Sequence, residues 1–232
     1  MMKRFINILF AVGVVVVLTT GANATMSLVG GTAGTIPGNI AQNDFIATGL
    51  FSGPIGGYFG SQIRVDGLSQ TPYTLEFFGA EAGYHNEFNW NSVERFYHPG
   101  GTVIAPSLTS PLGTYSGLFT GTGNLPFRFD VNSDLGWVAN GSNPSDSGGG
   151  VLGPNFFVSF NPFGSAAGSG GTTGNVAYLF LDDGGAGPDK DHDDFLVRVT
   201  IQPQPTPIPS TMLLLGSGLA GLAGIGRWRM RK

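Results

Sequence analysis

Between Asp182 and Asp194 the chain reads DDGGAGPDKDHDD, six aspartates and one histidine in 13 residues. Carboxylates this dense repel one another unless a cation or full solvation compensates them. Asp189, Asp191 and Asp193 recur at every second position. With Asp182 or Asp183 across the same loop, they can surround one hard cation with oxygen, which is the chemistry Ca²⁺ prefers. The expected ligand set is therefore Asp182, Asp183, Asp189, Asp191 and Asp193, with Ca²⁺ as the expected cofactor. A solvated acidic hairpin between two core strands is the alternative.

The known calcium loops match this stretch only in part. Counted as an EF-hand from Asp189, the segment has Asp194 where that loop needs Gly and Thr200 where it needs Glu. Gly184 to Asp189 fits the start of the calcium nonapeptide, but that repeat works in stacked copies and one copy is present. Catalytic chemistry has less to build on. There are no cysteines, so thiol catalysis and Cys-based zinc sites are excluded, and His85, His98 and His192 are scattered. No G-x-S-x-G or H-E-x-x-H pattern occurs. Glu76, Glu81, Glu87 and Glu94 could supply the carboxylate pair of a glycan hydrolase, yet nothing in their spacing selects two of them, and no enzyme activity is expected. Of the tryptophans, Trp137 reads as a core residue and Trp90, set between Asn89 and Asn91, as the surface aromatic more suited to a ligand.

The elements that must hold the acidic turn are strands. Gly and Pro number 39 and 15 in 232 residues, and charged residues make up 11%, against roughly 25% in an average soluble domain. That composition disfavours long helices, while 41% hydrophobic and 12% aromatic residues are enough for a core. Tyr73, Leu75 and Phe77 alternate with polar residues, as do Leu125, Phe127, Phe129 and Val131, and Val197, Val199 and Ile201. Period two marks half-buried antiparallel strands. Residues 176–181, apolar on both parities, read as a central strand. Shorter strands are expected at 45–51, 61–65, 93–97, 115–120, 137–139 and 156–160. About nine or ten strands with no convincing helix predict an all-β fold, an antiparallel two-sheet sandwich or jelly roll over residues 44–201. Residues 25–43 read as a loosely ordered lead-in.

Both ends carry processing features. Lys3 and Arg4, an apolar run from Phe5 to Leu18, and Ala22-Asn23-Ala24 are the three parts of a secretory signal peptide over residues 1–24, with cleavage expected after Ala24. Near the other end, residues 202–211 alternate proline with other residues and form an extended stalk. Residues 212–226 are apolar and reach about 22 Å as a helix, a marginal single transmembrane span. Residues 227–232 then carry four positive charges, a cytoplasmic stop that leaves residues 25–206 outside the cytoplasm.

Pro207, Ile208, Pro209, Ser210 and Thr211, followed by MLLLGSGLAGLAG and the Arg-rich end, resemble the PEP-CTERM sorting signal over Pro207 to Lys232. The resemblance implies processing by exosortase, a membrane-embedded cysteine protease of exopolysaccharide-producing Gram-negative bacteria. Ile208 stands where that motif usually has Glu. AYLFLDDGGAGPDKDHDDFLVRVTI and FFGAEAGYHNEF further resemble the uncharacterised extracellular β-sandwich domains that often precede such signals, in which an Asp-rich turn joins the last two strands.

Within residues 25–206, five basic residues face 15 acidic ones, a net charge of −10. Such a surface excludes nucleic acid as a partner, since phosphate backbones are bound through Lys and Arg. Taken together, these features predict an exported protein, anchored in the inner membrane before processing and then released to the cell surface or extracellular matrix, where it serves a structural role beside exopolysaccharide or biofilm. A Ca²⁺-dependent carbohydrate-binding module is the second reading and a secreted glycan hydrolase the third.

Overall fold

A computed structural model of the chain describes residues 24–37, 42–66, 70–132, 136–145, 153–184 and 191–202. Over these residues the protein is all-β, and every strand pairing is antiparallel. The elements run β1 (Thr25–Val29), β2 (Thr32–Ile36), α1 (Asp44–Ala47), β3 (Ile55–Phe59), β4 (Gln62–Asp66), β5 (Thr71–Ala82), β6 (Asn86–Trp90), β7 (Val93–His98) and β8 (Gly101–Ile104). They continue with β9 (Gly113–Phe119), β10 (Gly123–Asn124), β11 (Phe127–Val131), β12 (Gly136–Ala139), β13 (Asn155–Ser159), β14 (Thr173–Gly174), β15 (Val176–Asp182) and β16 (Phe195–Ile201).

Three sheets form. The largest has the order β2-β3-β13-β15-β16-β5-β8, with β9 also on β5; the others are β10-β4-β1-β14 and β12-β11-β6-β7. Strand β5 is 12 residues long and changes edge partner midway, pairing with β9 over Thr71 to Phe77 and with β8 over Gly79 to Ala82. Gly79 marks that change. Its φ is +147°, a Cβ there would collide with the Val103 carbonyl, and the β16 register shifts beside it between Leu196 and Val197. Only glycine fits a backbone approach of this kind without strain.

Strand β15 shows why residues 176–181 are apolar on both parities. Ala177, Leu179 and Leu181 join one hydrophobic cluster, while Tyr178 and Phe180 join a second. The first cluster draws on all three sheets, including Met26 and Val65, Phe88 and Phe129, and Leu179 and Val197. Phe127 meets Phe156 at 5.3 Å between ring centres and Phe129 meets Phe195 at 6.1 Å. Each fully buried Phe of this kind contributes about 1.5–3 kcal/mol relative to exposure.

The second cluster corrects the strand expected at 45–51. Asn43 caps α1, its side-chain oxygen accepting from the Ile46 N–H at 3.1 Å, and the Phe51 N–H closes back on the Phe45 carbonyl at 3.1 Å. This compact turn sends both rings into the core, where they meet Phe180 at 6.3 and 5.6 Å. An extended strand would place Phe45 and Phe51 about 20 Å apart. The capping Asn and the tertiary packing outweigh the β-like pattern of large apolar residues.

Two further expectations change. Residues 25–43, read as a loose lead-in, hold β1 and β2, and β1 lies between β4 and β14 with Met26 fully buried. The tryptophans exchange roles: Trp90 is 0% exposed and Trp137 is 57% exposed. Parity explains both, since Trp90 shares a face with buried Phe88, while Trp137 lies on the opposite face from buried Val138.

Ala24 is buried beside the first cluster. Ala22, Asp189, Pro207 to Thr211 and the apolar segment 212–226 lie outside the described residues. Among the described residues no helix is long and apolar enough to cross a membrane.

Candidate metal centre

The acidic turn joins β15 to β16, and the register of the large sheet decides what stands beside it. Leu181 pairs with Phe195, and Leu196 pairs with Gly79 on β5. Two residues beyond Gly79 lies Glu81, whose N–H donates to the Asp193 carbonyl at 2.8 Å. On the other side the Asp194 N–H donates to the Leu181 carbonyl at 3.2 Å. The start of β16 is thereby held between β5 and β15 before any side chain acts.

The side chains then converge. One oxygen each of Glu81, Asp193 and Asp194 lie within 4.8 Å of one another. At a Ca²⁺–oxygen distance of about 2.3–2.6 Å, oxygens across one ion stand up to about 5 Å apart; Mg²⁺, at about 2.0–2.1 Å, spans only about 4.2 Å. The trio is within reach of a single Ca²⁺, and its donors are all hard oxygens.

Asp193 is 1% exposed, and only one of its two carboxylate oxygens is satisfied. Oδ2 accepts from the Asp44 N–H at 2.5 Å, at the start of α1, whereas Oδ1 meets no donor group and the Asp191 carboxyl lies within hydrogen-bonding reach of Asp193. Burial, followed by the neighbouring Asp191 charge, pushes the Asp193 carboxyl up to about 9. Burial, followed by the Asp183 charge, likewise drives Asp194 well above the usual carboxylate range. A bound divalent cation supplies the positive charge that would return both groups to their ionised form.

Around the trio stand three more of the expected ligands. Asp183 donates its backbone N–H to Asp194 Oδ2 at 2.7 Å and accepts on Oδ2 from Asn86 Nδ2 at 3.1 Å. Asp182 Oδ1 accepts from the Gly184 N–H at 2.8 Å. The Asp191 carbonyl accepts from Asn43 Nδ2 at 2.6 Å. Asn86 Oδ1, fully buried next to this network, has no hydrogen-bond partner. Of the expected set, then, Asp193 belongs to the close trio, Asp182, Asp183 and Asp191 flank it, and Asp189 lies outside the described residues.

His192 sits within the turn but faces the core. Its φ is +56°, a left-handed conformation costly for a residue with a Cβ. The ring is fully buried, bonded through Nε2 to Asn155 Oδ1 at 2.9 Å and packed on Phe59 and Phe157 at 5.4 and 6.0 Å. These contacts offset the backbone cost and anchor the turn.

Glu81 and Asp194 were not in the expected set. Asp194 escapes a search for alternating carboxylates because it follows Asp193 directly. Glu81 is 113 positions before Asp194 and becomes its neighbour only through the β5–β16 pairing. No family model, curated protein or solved structure matches the chain.

Proposed function

We propose that the chain is an exported, non-enzymatic structural protein of the cell surface or extracellular matrix, associated with exopolysaccharide or biofilm. In this reading its strands form a two-layer β-sandwich, anchored by a transmembrane helix over residues 212–226 until exosortase acts at Pro207 to Thr211. A Ca²⁺ held by Glu81, Asp193 and Asp194 would fasten the end of β5 to the start of β16, and Asp44 on α1 through Asp193. The cation adds no chemistry to a substrate; it neutralises buried charge and closes the sheet. A first hydrophobic cluster drawn from all three sheets supports the sandwich.

The observation that carries the cation-dependent part is the oxygen trio around buried Asp193, one of whose carboxylate oxygens meets no hydrogen-bond donor. Extracellular space, where Ca²⁺ is plentiful, suits a site of this kind. Native mass spectrometry of the secreted protein tests the whole reading in one spectrum. The expected species carries one Ca²⁺ and lacks Arg227 to Lys232. A secreted form that retains the basic tail defeats the sorting assignment, and a form that never carries calcium defeats the centre.

A further inference from the structure

Across the β12-β11-β6-β7 sheet, on the face turned away from the core, four side chains stand in a row. Asp130 pairs with Trp137 on one side and Glu87 on the other, and Glu87 pairs with Tyr97. Residues paired in this way project from one face. The opposite face is core, through Phe88, Phe129 and Val138. The row is thus aromatic, acid, acid, aromatic, one residue per strand. Trp137 is 57% exposed and Tyr97 is 49% exposed, large rings left in water at the two edges of a sheet.

Beside the row is a cleft of about 300 Å³ lined by His85, Glu87, Arg128, Asp130, Asn132 and Trp137. Two of its polar groups, Asp130 and Arg128, are tied together. Asp130 Oδ2 accepts from Arg128 Nε at 3.1 Å, from Arg128 Nη2 at 2.8 Å and from Asn89 Nδ2 at 2.9 Å. This part of the site is preorganised, so the Asp130–Arg128 pair loses little ordering entropy when a ligand binds.

We propose that this face binds a neutral, hydroxyl-rich polysaccharide, laid across the strands from Trp137 to Tyr97. The inference rests on the reading of the protein as extracellular and associated with exopolysaccharide. A pyranose ring presents an apolar C–H face, which suits an exposed indole or phenol, and a rim of hydroxyls that both donate and accept. Carboxylates accept from those hydroxyls and the Arg128 guanidinium donates to them. Strands lie about 4.8 Å apart, so the row spans about 14 Å. An extended glycan advances by about one strand spacing per ring, and each ring can meet one station of the row.

Charge selects the class of polymer. Glu87 and Asp130 outnumber Arg128 at the row, so a uronate, sulfate or phosphate polymer is repelled. A protein partner is less well matched, because the two carboxylates interrupt the apolar surface that an interface core requires. None of Glu81, Asp193 and Asp194 lines the cleft, so binding here does not pass through the cation.

Native affinity electrophoresis tests the proposal, using the full chain in mild detergent and gels cast with hydroxyethyl cellulose, galactomannan, dextran or alginate, each with Ca²⁺ or EDTA. The expected result is retardation by at least one neutral polymer, equal in Ca²⁺ and EDTA. Trp137→Ala should weaken it at least tenfold and Tyr97→Ala several-fold. Leu118→Ala, an exposed residue on β9 of the large sheet, should leave it unchanged. All three positions are exposed, and melting curves confirm that each variant folds. Retardation by alginate alone, by no neutral polymer, or equally in Trp137→Ala and wild type overturns the proposal. Loss of binding in EDTA also overturns it. A protein that binds no glycan but is stabilised by Ca²⁺ refutes this inference alone, and one that binds glycan but ignores Ca²⁺ refutes only the metal centre.

Discussion

In EDTA the wild-type protein should lose stability as pH rises from 5 to 8. Burial and the Asp191 charge push the Asp193 carboxyl up to about 9, and Asp194 moves the same way. In the unfolded chain an aspartate sheds its proton near pH 4. Across the window between these values the folded protein keeps a proton that the unfolded chain has lost. The stabilisation is therefore complete below about pH 4 and drains away as pH climbs towards about 9. One retained proton corresponds to about 1.4 kcal/mol per pH unit, so the change over three units is on the order of 4 kcal/mol. That is a large share of the roughly 5–15 kcal/mol by which domains are stable. Asp193→Asn keeps a side-chain oxygen to accept from the Asp44 N–H and removes one titration, so its curve in EDTA should be markedly flatter. Urea unfolding at pH 5, 6, 7 and 8 is the assay, with fluorescence reporting on Trp90, which is fully buried and 4.6 Å from the Tyr73 ring. In Ca²⁺ the wild-type slope should diminish or reverse, because binding displaces the protons. Wild-type stability that is flat or rises with pH in EDTA, or an Asp193→Asn curve that follows wild type, would refute this reasoning.

Arg198 grips Glu76 with two bonds of 2.6 and 2.7 Å in a half-buried pair between β16 and β5. Arg198→Met should cost about 2–3 kcal/mol in urea unfolding by stranding the carboxylate, and adding Glu76→Leu should recover most of it. Gly79→Ala should cost on the order of 3 kcal/mol, since both its φ and the Val103 carbonyl oppose a Cβ. Amide exchange should then show β8 opening first. If the signal peptide ends at Ala24, N-terminal sequencing of the secreted protein should begin at Thr25, the first residue of β1; any other start overturns that cleavage assignment.

Much of the strand content is legible because burial on a pleated surface imposes period two. Tyr73, Leu75 and Phe77 alternate for this reason, and residues 176–181 lose alternation because β15 has a hydrophobic cluster on each face. What escapes is whatever depends on distant partners. Asn43 and Phe45 make a helical turn because Phe180 and its neighbours offer a place for two rings, which no local pattern records. Asn89 and Asn91 make Trp90 look exposed, yet parity places Asn89 and the indole on different sides of β6, and Asn91 already belongs to the following turn, with φ +52°. The acidic turn announces itself by composition, but Glu81 reaches it only through strand pairing. Local spacing therefore points to Asp189, Asp191 and Asp193, while the folded sheet brings Asp193, Asp194 and Glu81 together.

Thermal unfolding of the full chain in EDTA and in millimolar Ca²⁺ tests the central claim most directly. A ligand that binds only the folded state stabilises it by RT ln(1 + [L]/Kd), about 2.7 kcal/mol at 100 times Kd. For a domain of this size that raises Tm by about 5–11 °C. The increment should be present in wild type, much smaller with Mg²⁺, and absent from a Glu81→Gln, Asp194→Asn double variant. A wild-type melting curve that is the same in EDTA and Ca²⁺, or a double variant that gains as much as wild type, contradicts the cation centre and leaves a buried, protonated Asp193 in its place.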